Sequence, residues 1–429
     1  MNKFFEWMEE HFVPIASRIG SQRHLVAIRD GFATITPLII AGAFAVLFNN
    51  LGFKGYQNFM NWLLPTGWTA WGGAIWNGSF GVMSILIVFT ISYHLATSYD
   101  KDGLAAGIVV TAASIILYST TPDGAFPMTF LGSQGLFIAL IVALVGTEIF
   151  VKLIGNPRLV IKMPEGVPPA VAKSFAALFP SIIILAIAAG VKELFMLIHV
   201  ADIHQALFFT LQKPLQGIVG SLGGVLIIVF LIQLLWFFGL HGANILAPVI
   251  NALLLPLLLA NTDKLNAGLQ PENILNSQFL DSYVNMGGSG TTIGLLIAVY
   301  ILRKRAGSQQ RMIANLGIGP GCFNINEPVI FGFPIVLNPM YFFPFILAPM
   351  ASVLIAYMLT AIGFVPKVSL MAGWTTPPIL GAIISTNSIM GGVTALICLV
   401  VSVLIYMPFV YAAGRQATAG EEASKSINM

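Results

Sequence analysis

The chain has 429 residues, of which 57% are hydrophobic and only 9% are charged. Soluble domains carry about 25% charged residues, so the composition excludes a soluble globular protein and predicts a multi-pass membrane protein. A formal net charge of +3 is too small to suggest nucleic acid as a partner.

Apolar residues near the start of the chain recur at roughly helical spacing among polar and charged ones. They are Phe4, Phe5, Trp7, Met8, Phe12, Val13 and Ile15. The pattern predicts an amphipathic helix that lies on the membrane surface over residues 1–25, with an ordinary polar tail as the alternative. The segment lacks the features of a cleavable signal peptide.

Three long stretches contain no Asp, Glu, Lys or Arg: residues 214–262, 328–366 and 368–414. Each exceeds the roughly 20 apolar residues that cross a bilayer once. Backbone groups in lipid must hydrogen bond to one another, and continuous apolar runs favour helices over a β-barrel. We therefore expect an all-α polytopic membrane protein with about ten transmembrane helices. The apolar segments lie near 31–51, 72–98, 104–121, 130–154, 174–191, 216–240, 242–260, 291–302, 328–362 and 376–413.

Basic residues concentrate in three connectors between these segments, at 1–29, 152–173 and 303–311. The second connector contains Lys152, Arg158, Lys162 and Lys173. By the positive-inside rule all three connectors are cytoplasmic. Four predicted crossings separate each connector from the next, so their parity agrees. We expect an inner-membrane protein with both termini in the cytoplasm.

A segment with several charged residues, 191–213, interrupts the apolar pattern near the middle of the chain. It predicts an amphipathic connector between two transmembrane halves. The first half then comprises residues 26–190 and the second comprises residues 214–414. A cytoplasmic tail at 415–429 follows.

Polar residues of the second half gather in Gly- and Pro-rich stretches at 285–292 and 317–328. In transporters, interrupted helices of this kind line a cavity, because irregular backbone is not tolerated against lipid. We therefore expect the binding site in the second half of the chain.

Glu327 is the only acidic side chain within residues 282–420. A carboxylate at membrane depth is costly unless it is partnered, protonated or hydrated, so such residues are functional candidates. Asn324 and Asn326 precede it, and Pro328 interrupts the helical hydrogen-bond ladder. One carboxylate and two carboxamides on such a loop can hold several hydroxyl groups. The alternative is an ordinary carboxylate in a cytoplasmic loop.

His241 is the only ionisable side chain between Lys213 and Asp263. A neutral imidazole offers one donor and one acceptor, which suits a ligand hydroxyl or a neighbouring carboxylate. Asn244 lies three residues later, on the same helical face. The alternative is a histidine that is satisfied by a backbone carbonyl between helices.

Trp236 and Trp374 can each stack on the apolar face of a ligand ring while the indole N–H donates to a polar group. A tryptophan that anchors the chain at the membrane interface is the alternative. The glycine-rich run at 287–290 resembles a phosphate-binding loop, but no Gly-Lys-Ser/Thr follows it. Its backbone N–H groups can still meet a hydroxyl or an incoming phosphoryl group.

The two cysteines, Cys322 and Cys398, are far apart in the sequence and show no spacing typical of metal ligands. We therefore predict no disulfide, no redox centre, no metal site and no cofactor.

Several motifs together resemble the lactose/cellobiose-type enzyme IIC permeases of the phosphoenolpyruvate:sugar phosphotransferase system, a group that includes diacetylchitobiose permeases. They are Arg29-Asp30-Gly31-Phe32 followed by Pro37-Leu38-Ile39, Leu240-His241-Gly242-Ala243-Asn244, Asn285-Met286-Gly287-Gly288-Ser289-Gly290-Thr291, and Gly321-Cys322-Phe323-Asn324-Ile325-Asn326-Glu327-Pro328-Val329-Ile330-Phe331-Gly332. The resemblance covers nearly the whole chain.

The resemblance implies a homodimer in the bacterial cell membrane, joined through its first half, with two re-entrant hairpins around a sugar site in the second half. It also implies that Glu327 and His241 contact the sugar and that Trp236 and Trp374 pack on its rings. The other predicted substrate-binding residues are Asn244, Asn285, Gly288, Ser289, Thr291, Asn324 and Asn326. Phosphorylated enzyme IIB, a cytoplasmic protein, would supply the phosphoryl group, because neither cysteine lies in a soluble domain.

We therefore predict an enzyme IIC subunit that binds a disaccharide of the cellobiose, lactose or diacetylchitobiose class, translocates it and presents it for phosphorylation. As a phosphotransferase it acts only within a complex. One alternative is a proton- or sodium-coupled symporter that uses Glu327 as its proton site. The other is a membrane scaffold without saturable sugar binding, and the polar residues at 285–291 and 324–327 argue against it.

Overall fold

The computed structural model describes residues 2–51, 54–65, 67–121, 123–161, 163–164, 166–333 and 335–427, without the side chains of residues 2–9, 12, 170 and 416–427. Two of the predictions fall partly outside the described residues. They concern Lys162 and the apolar side chains Phe4, Phe5, Trp7, Met8 and Phe12. The backbone of Asn2–Gly20 is helical, and its position on the membrane surface stays a prediction.

Helices form most of the first half of the chain. The α-helices are Asn2–Gly20, Arg23–Asn50, Lys54–Leu63, Thr69–Gly78, Met83–Thr97, Gly103–Leu117, Met128–Leu131, Leu136–Ile154, Pro169–Ala176 and Leu178–Leu197. Short 3₁₀ turns at Phe80–Val82 and Ser133–Gly135 directly precede two of the longer helices.

The second half contains more interruptions. Its α-helices are Ile203–Leu207, Lys213–Val219, Leu222–Phe237, Gly242–Val249, Leu255–Asn266, Ser277–Phe279, Thr292–Ile301, Ser308–Gly321, Glu327–Gly332, Pro339–Ala361, Pro378–Thr386 and Ile389–Ile427. Single π-helical turns occur at Phe208–Gln212, Ile250–Leu254 and Leu280–Val284. Such turns are rare and often lie at functional sites.

Eight helical stretches are long and apolar enough to cross a membrane: Arg23–Asn50, Thr69–Thr97, Ser133–Ile154, Leu178–Leu197, Gly242–Asn266, Ser277–Ile301, Pro339–Ala361 and Ile389–Arg415. A ninth crossing results if Ile203–Val219 and Leu222–Phe237, which meet at 69°, count as one bent span. No strand occurs among the described residues, and the all-α polytopic prediction is confirmed. The number of ten crossings, the re-entrant hairpins and the division of the chain at 191–213 stay predictions.

Side-chain caps fix where several helices of the second half begin. The Ser221 hydroxyl accepts a hydrogen bond from the N–H of Gly224 at 3.1 Å, and the Asn276 side chain accepts one from the N–H of Phe279 at 3.0 Å. A helix start leaves N–H groups without a partner, and lipid cannot supply one. The fully buried Asn276 cap therefore allows its helix to begin inside the apolar part of the molecule.

One continuous apolar core connects the two halves. Phe32 of the first half and Tyr283 of the second belong to it, and neither is more than 3% exposed. The exterior is apolar as well, because Ile182 and Leu194 on the helix Leu178–Leu197 are more than half exposed. Large exposed apolar surfaces mark contact with lipid or with another protein.

Candidate functional site

A polar cavity of about 420 Å³ lies in the second half of the chain. Its lining residues are Trp236, His241, Ala243, Asn244, Asp281, Asn285, Gly288, Ser289, Asn324, Ile325, Asn326, Glu327 and Trp374. The fold therefore brings together four segments that are far apart in the sequence. Every predicted site residue lines this cavity except Thr291.

Thr291 does not reach the cavity. Its side chain is fully buried, and its hydroxyl donates a hydrogen bond to the carbonyl of Val284 at 2.8 Å. Thr291 has a left-handed backbone, with φ of 52°, and directly precedes the helix Thr292–Ile301. Its place in the sequence suggested a cavity position, but the left-handed residues of this segment change the directions in which side chains leave the backbone.

Residues 285–291, here called the glycine turn, form one wall of the cavity. Gly288 has a φ of 91°, and a Cβ atom there would lie 2.4 Å from the Cγ atom of Asn326. Gly290 has a φ of 81°, and its Cβ atom would lie 2.2 Å from the ring of Phe345. Only glycine fits both this backbone and this close approach. The glycine turn therefore touches the loop that contains Asn326.

The last long helix, Ile389–Ile427, holds the other side of the glycine turn. The buried Tyr406 hydroxyl donates to the carbonyl of Gly290 at 2.7 Å, and the Ser402 hydroxyl donates to the carbonyl of Thr291 at 3.3 Å. Backbone carbonyls in an irregular turn have no partner within a helix. These two bonds supply partners at a depth where water is scarce.

Asn324 ties three segments together. Its side-chain oxygen accepts a hydrogen bond from the N–H of Gly287 at 2.8 Å. Its side-chain nitrogen donates to the carbonyls of Trp374 and Thr376 at 2.6 and 3.0 Å. Both polar atoms of Asn324 are thus engaged within the protein, so this residue positions the cavity walls.

Asn326 and Glu327 begin the short helix Glu327–Gly332. The Asn326 amide donates to the carbonyl of Ser289 at 2.7 Å, and its Oδ1 atom receives no hydrogen bond from the described residues. Glu327 is exposed toward the cavity that it lines. Pro328 lies in the first turn of this helix, where its missing N–H costs no hydrogen bond. The Asn326 Oδ1 atom and the Glu327 carboxylate are therefore acceptors at the cavity wall.

His241 caps the helix Gly242–Val249. Its Nδ1 atom accepts a hydrogen bond from the N–H of Asn244 at 3.2 Å. In the neutral ring the proton therefore lies on Nε2. The Glu327 carboxylate is close enough to act electrostatically on this ring. His241 thus contributes a donor to a cavity in which Asn326 and Glu327 contribute acceptors.

Trp236 and Trp374 differ in their surroundings. Trp236 is 3% exposed, and its ring centre lies 4.4 Å from that of His241. Its Nε1–H finds no acceptor in the described part of the chain. Trp374 is 55% exposed and lines the same cavity. The cavity therefore has two indole rings, one of them with a free donor.

Asp281 lines the cavity but was not predicted as a site residue. It lies on the π-helical turn Leu280–Val284, and its carboxylate accepts a hydrogen bond from the Asn285 side chain at 3.3 Å. The spacing of four residues between Asp281 and the predicted Asn285 was the available signal, because such residues share a helical face.

A second cavity of about 400 Å³ adjoins the first and shares Asn244, Asp281, Asn285 and Trp374 with it. It reaches Arg29 of the first half, whose guanidinium is 2.8 Å from the Asp30 carboxylate. The two cavities therefore adjoin, and the second extends between the two halves of the chain. Across the described residues, no three His, Cys, Asp or Glu side chains form a group that could hold a metal ion.

Comparison with known proteins identifies the family. A family model described as "Phosphotransferase system, EIIC" matches residues 29–349, which is most of the chain. The chain belongs to the EIIC family of the phosphotransferase system. The matched residues include the segments of His241, of the glycine turn and of Glu327, and the predicted resemblance is confirmed.

The EIIC chain is 39% identical to the lichenan permease IIC component of Bacillus subtilis (strain 168), over 95% of this chain and 93% of that protein. It is 36% identical to the cellobiose-specific EIIC component of Geobacillus stearothermophilus, over 100% of this chain and 98% of that protein. The crystal structure of the transporter ChbC, the IIC component from the N,N'-diacetylchitobiose-specific phosphotransferase system, matches with a TM-score of 0.92 and 34% identity, over 97% of this chain and 99% of that one. The EIIC chain is therefore a multi-pass membrane permease component.

Proposed function

We propose that the cavity of about 420 Å³ binds a disaccharide of the cellobiose, lactose or diacetylchitobiose class, which the EIIC chain carries into the cytoplasm for phosphorylation. The observation that carries the proposal is the meeting of Glu327, His241 and two tryptophans in one polar cavity. Its volume lies in the range of about 300–1,000 Å³ that is usual for small-molecule sites. The names of the cellobiose and diacetylchitobiose relatives support the sugar class.

The cavity offers the two kinds of contact that a disaccharide needs. Trp374, which is 55% exposed, covers the apolar face of one ring, and the nearly buried Trp236 lines the wall beside His241. The His241 Nε2–H donates to one hydroxyl, while the Asn326 Oδ1 atom and the Glu327 carboxylate accept from others. Further contacts come from Asn244, Asn285, Gly288 and Ser289. Asn324 holds these groups in place and does not itself bond to the sugar, because both of its polar atoms are bonded to the protein backbone.

Glu327 orients or deprotonates the hydroxyl that accepts the phosphoryl group. In the transfer, the bond between phosphorus and the donor sulfur of enzyme IIB breaks, a bond from phosphorus to the sugar oxygen forms, and the hydroxyl proton moves to Glu327. Cys398 is fully buried and Cys322 is partly buried at the end of the helix Ser308–Gly321. These positions support a separate phosphorylated enzyme IIB as the phosphate donor.

The proposal includes a homodimer that is joined through the first half, with both termini in the cytoplasm. The exposed apolar side chains of the helix Leu178–Leu197 support an apolar environment for this half. The basic residues after the helix Thr292–Ile301 support a cytoplasmic position for that end.

The substitution Glu327→Gln tests the proposal, because glutamine keeps the size of the side chain but cannot take up a proton. Membranes that contain the variant are supplied with phosphoenolpyruvate, the soluble partner proteins and cellobiose. We expect the rate of cellobiose phosphorylation to fall about 100-fold or more, since general base catalysis contributes roughly 10²–10⁴. Glu193→Gln, at an exposed position on the helix Leu178–Leu197, is the matched control and should keep the full rate. Full activity of Glu327→Gln would contradict the proposal.

A further inference from the structure

A third cavity, of about 250 Å³, lies apart from the two described above and shares no lining residue with them. Its wall combines both halves of the chain. Trp76, Asn77, Thr129 and Gln134 come from the first half, and Asp263 comes from the second. Asn77 and Thr129 are exposed, so the cavity opens to the surface.

This cavity lies at the opposite membrane face from Arg29. The helix Arg23–Asn50 runs between the two ends, and Arg29 and Asn50 are about 30 Å apart at a rise of 1.5 Å per residue. The Asn50 side chain donates to the Asn266 side chain at 3.1 Å, one helical turn after Asp263. Since the proposed orientation places the Arg29 end in the cytoplasm, the cavity opens to the outside.

The polar side chains around this cavity have unused hydrogen-bonding capacity. Within the described part of the chain, the side chains of Asn77, Thr129, Gln134 and Asp263 form no hydrogen bond or ion pair with any residue. The neighbouring Lys264 does not neutralise Asp263, because its ammonium group pairs with Glu272 instead. One carboxylate, two carboxamides and one hydroxyl thus converge on a space that is open to solvent.

An aromatic wall completes the cavity. Trp76 is partly buried against the core and packs on Phe80, with ring centres 4.5 Å apart. Indole beside carboxylate and carboxamide groups is the combination that recognises a sugar ring, which has an apolar C–H face and a polar rim. A hard cation such as calcium needs six to eight oxygen ligands, and this wall offers only one carboxylate.

The volume indicates how much of a sugar this cavity can hold. About 250 Å³ lies just below the range of roughly 300–1,000 Å³ for sites that enclose a whole small molecule. The cavity therefore suits one pyranose ring, while the remainder of a longer saccharide projects outward past the exposed Thr129.

We propose that this cavity is an outer subsite, which binds one pyranose ring of the saccharide before the sugar enters the cavity at Glu327. The Asp263 carboxylate accepts hydrogen bonds from hydroxyl groups of the ring, Asn77 and Gln134 bind neighbouring hydroxyls, and Trp76 covers the apolar face. The subsite rests on the proposed function for the identity of its ligand and for the side of the membrane.

A direct structural link joins the outer subsite to the inner cavity. Next to Asp263, the Asn261 amide donates to the carbonyl of Val368 at 2.8 Å, and the Thr262 hydroxyl donates to the carbonyl of Ser369 at 2.7 Å. The segment that begins there continues to Trp374, which lines the inner cavity. The outer subsite is therefore hydrogen bonded to the segment that supplies Trp374 to the inner cavity.

Protection of a cysteine reporter tests the outer subsite. Met128 lines the cavity, is 48% exposed and has no polar role, so Met128→Cys places a thiol at the cavity without removing a ligand group. The purified variant in lipid nanodiscs is treated with a maleimide, with the parent chain as the measure of labelling at Cys322. At about twice its Kd for the outer subsite, cellobiose should slow the labelling about threefold by mass action.

Two double variants, each made in the Met128→Cys chain, separate the outer subsite from the proposed function. With Glu327→Gln added, the protection by cellobiose should persist even though phosphorylation collapses. With Asp263→Asn added, the protection should disappear, while calorimetry should still detect cellobiose at the inner cavity and so show that the variant is folded. Asp123→Asn, at an exposed carboxylate in the loop before the short helix Met128–Leu131, is the control and should keep the protection.

Four outcomes overturn the outer subsite. They are an absence of protection in the Met128→Cys chain, protection that survives Asp263→Asn, protection that vanishes with Glu327→Gln, and equal protection by sodium or calcium chloride in place of cellobiose. The third would show that the inner cavity alone causes the effect, and the fourth would assign the cavity to a cation.

Discussion

The indole N–H of Trp236 has no hydrogen-bond acceptor among the described residues. A buried donor in this state costs about 1–3 kcal/mol. The ring is held against His241, with the two planes at 46°. We expect a ligand that supplies an acceptor to remove this cost, so that Trp236 favours the occupied cavity over the empty one.

Replacing Trp236 by phenylalanine should weaken sugar binding while it keeps an aromatic ring in place. We expect the Kd for cellobiose, measured by calorimetry, to rise about fivefold, because one neutral hydrogen bond contributes about 1 kcal/mol. Trp68→Phe is the matched control, since the Trp68 Nε1–H donates to Asn61 at 2.9 Å, outside the cavity. An unchanged Kd in Trp236→Phe would mean that the indole N–H does not contact the sugar.

The chemistry of single residues decides how well the sequence predicts the site. Glu327 and His241 stand out because an ionisable group is costly in an apolar stretch. Asp281 is likewise the only charged side chain within residues 273–302, but it was not predicted, because its segment lacks the neighbouring carboxamides and proline that mark Glu327. Asn324 has the right chemistry for a sugar, but only the structure reveals that both of its polar atoms are already bonded.

At the scale of elements, the glycine turn and the loop before Glu327 form one unit. Asn324 and Asn326 each bond to the backbone of the glycine turn, at 2.8 and 2.7 Å. Both segments contain residues with a left-handed backbone conformation, among them Asn324 with a φ of 62° and Gly288 with a φ of 91°. These conformations bring the two backbones into contact. The sequence predicts both interruptions from their glycine and proline content, but hydrogen bonds between distant segments do not follow from composition.

The substitution Gly288→Ala should break this unit. The new methyl group would meet the Asn326 side chain at 2.4 Å, on a backbone that alanine disfavours. We expect a destabilisation of at least about 2 kcal/mol, seen as a lower melting temperature, together with loss of cellobiose binding.

Gly190→Ala provides the comparison, because a Cβ atom there meets nothing within 4 Å inside the helix Leu178–Leu197. This variant should be as stable as the parent chain or slightly more stable, since alanine favours a helix over glycine. If Gly288→Ala bound cellobiose with the affinity of the parent chain, the close packing at Gly288 would not matter for the site.

At the scale of the whole molecule, composition was enough to predict a membrane-spanning helical protein, but not its detailed path. The predicted segment 104–121 corresponds to the helix Gly103–Leu117, which is too short to count among the candidate spans. The predicted segment 291–302 belongs to the longer stretch Ser277–Ile301, which contains the glycine turn. Hydropathy reports how apolar a segment is, whereas bends and breaks depend on caps and packing.

Group translocation and proton-coupled symport make different predictions for the purified chain in liposomes. With a pH gradient as the only driving force, we expect no accumulation of free cellobiose, because the proposed cycle ends with phosphorylation. With the soluble partner proteins and phosphoenolpyruvate on one side, sugar should appear there only as its phosphate. Accumulation of unmodified cellobiose along the pH gradient would favour a symporter that uses Glu327.

The bond from Tyr406 to the carbonyl of Gly290 joins residues that are 116 positions apart. During synthesis the glycine turn therefore leaves the ribosome before Tyr406 has been made. We expect a chain truncated before Ser402 to insert most of its helices and still lack the hydrogen bonds of both Ser402 and Tyr406 to the glycine turn. We therefore expect the glycine turn to reach its folded form only after the helix Ile389–Ile427 has been made.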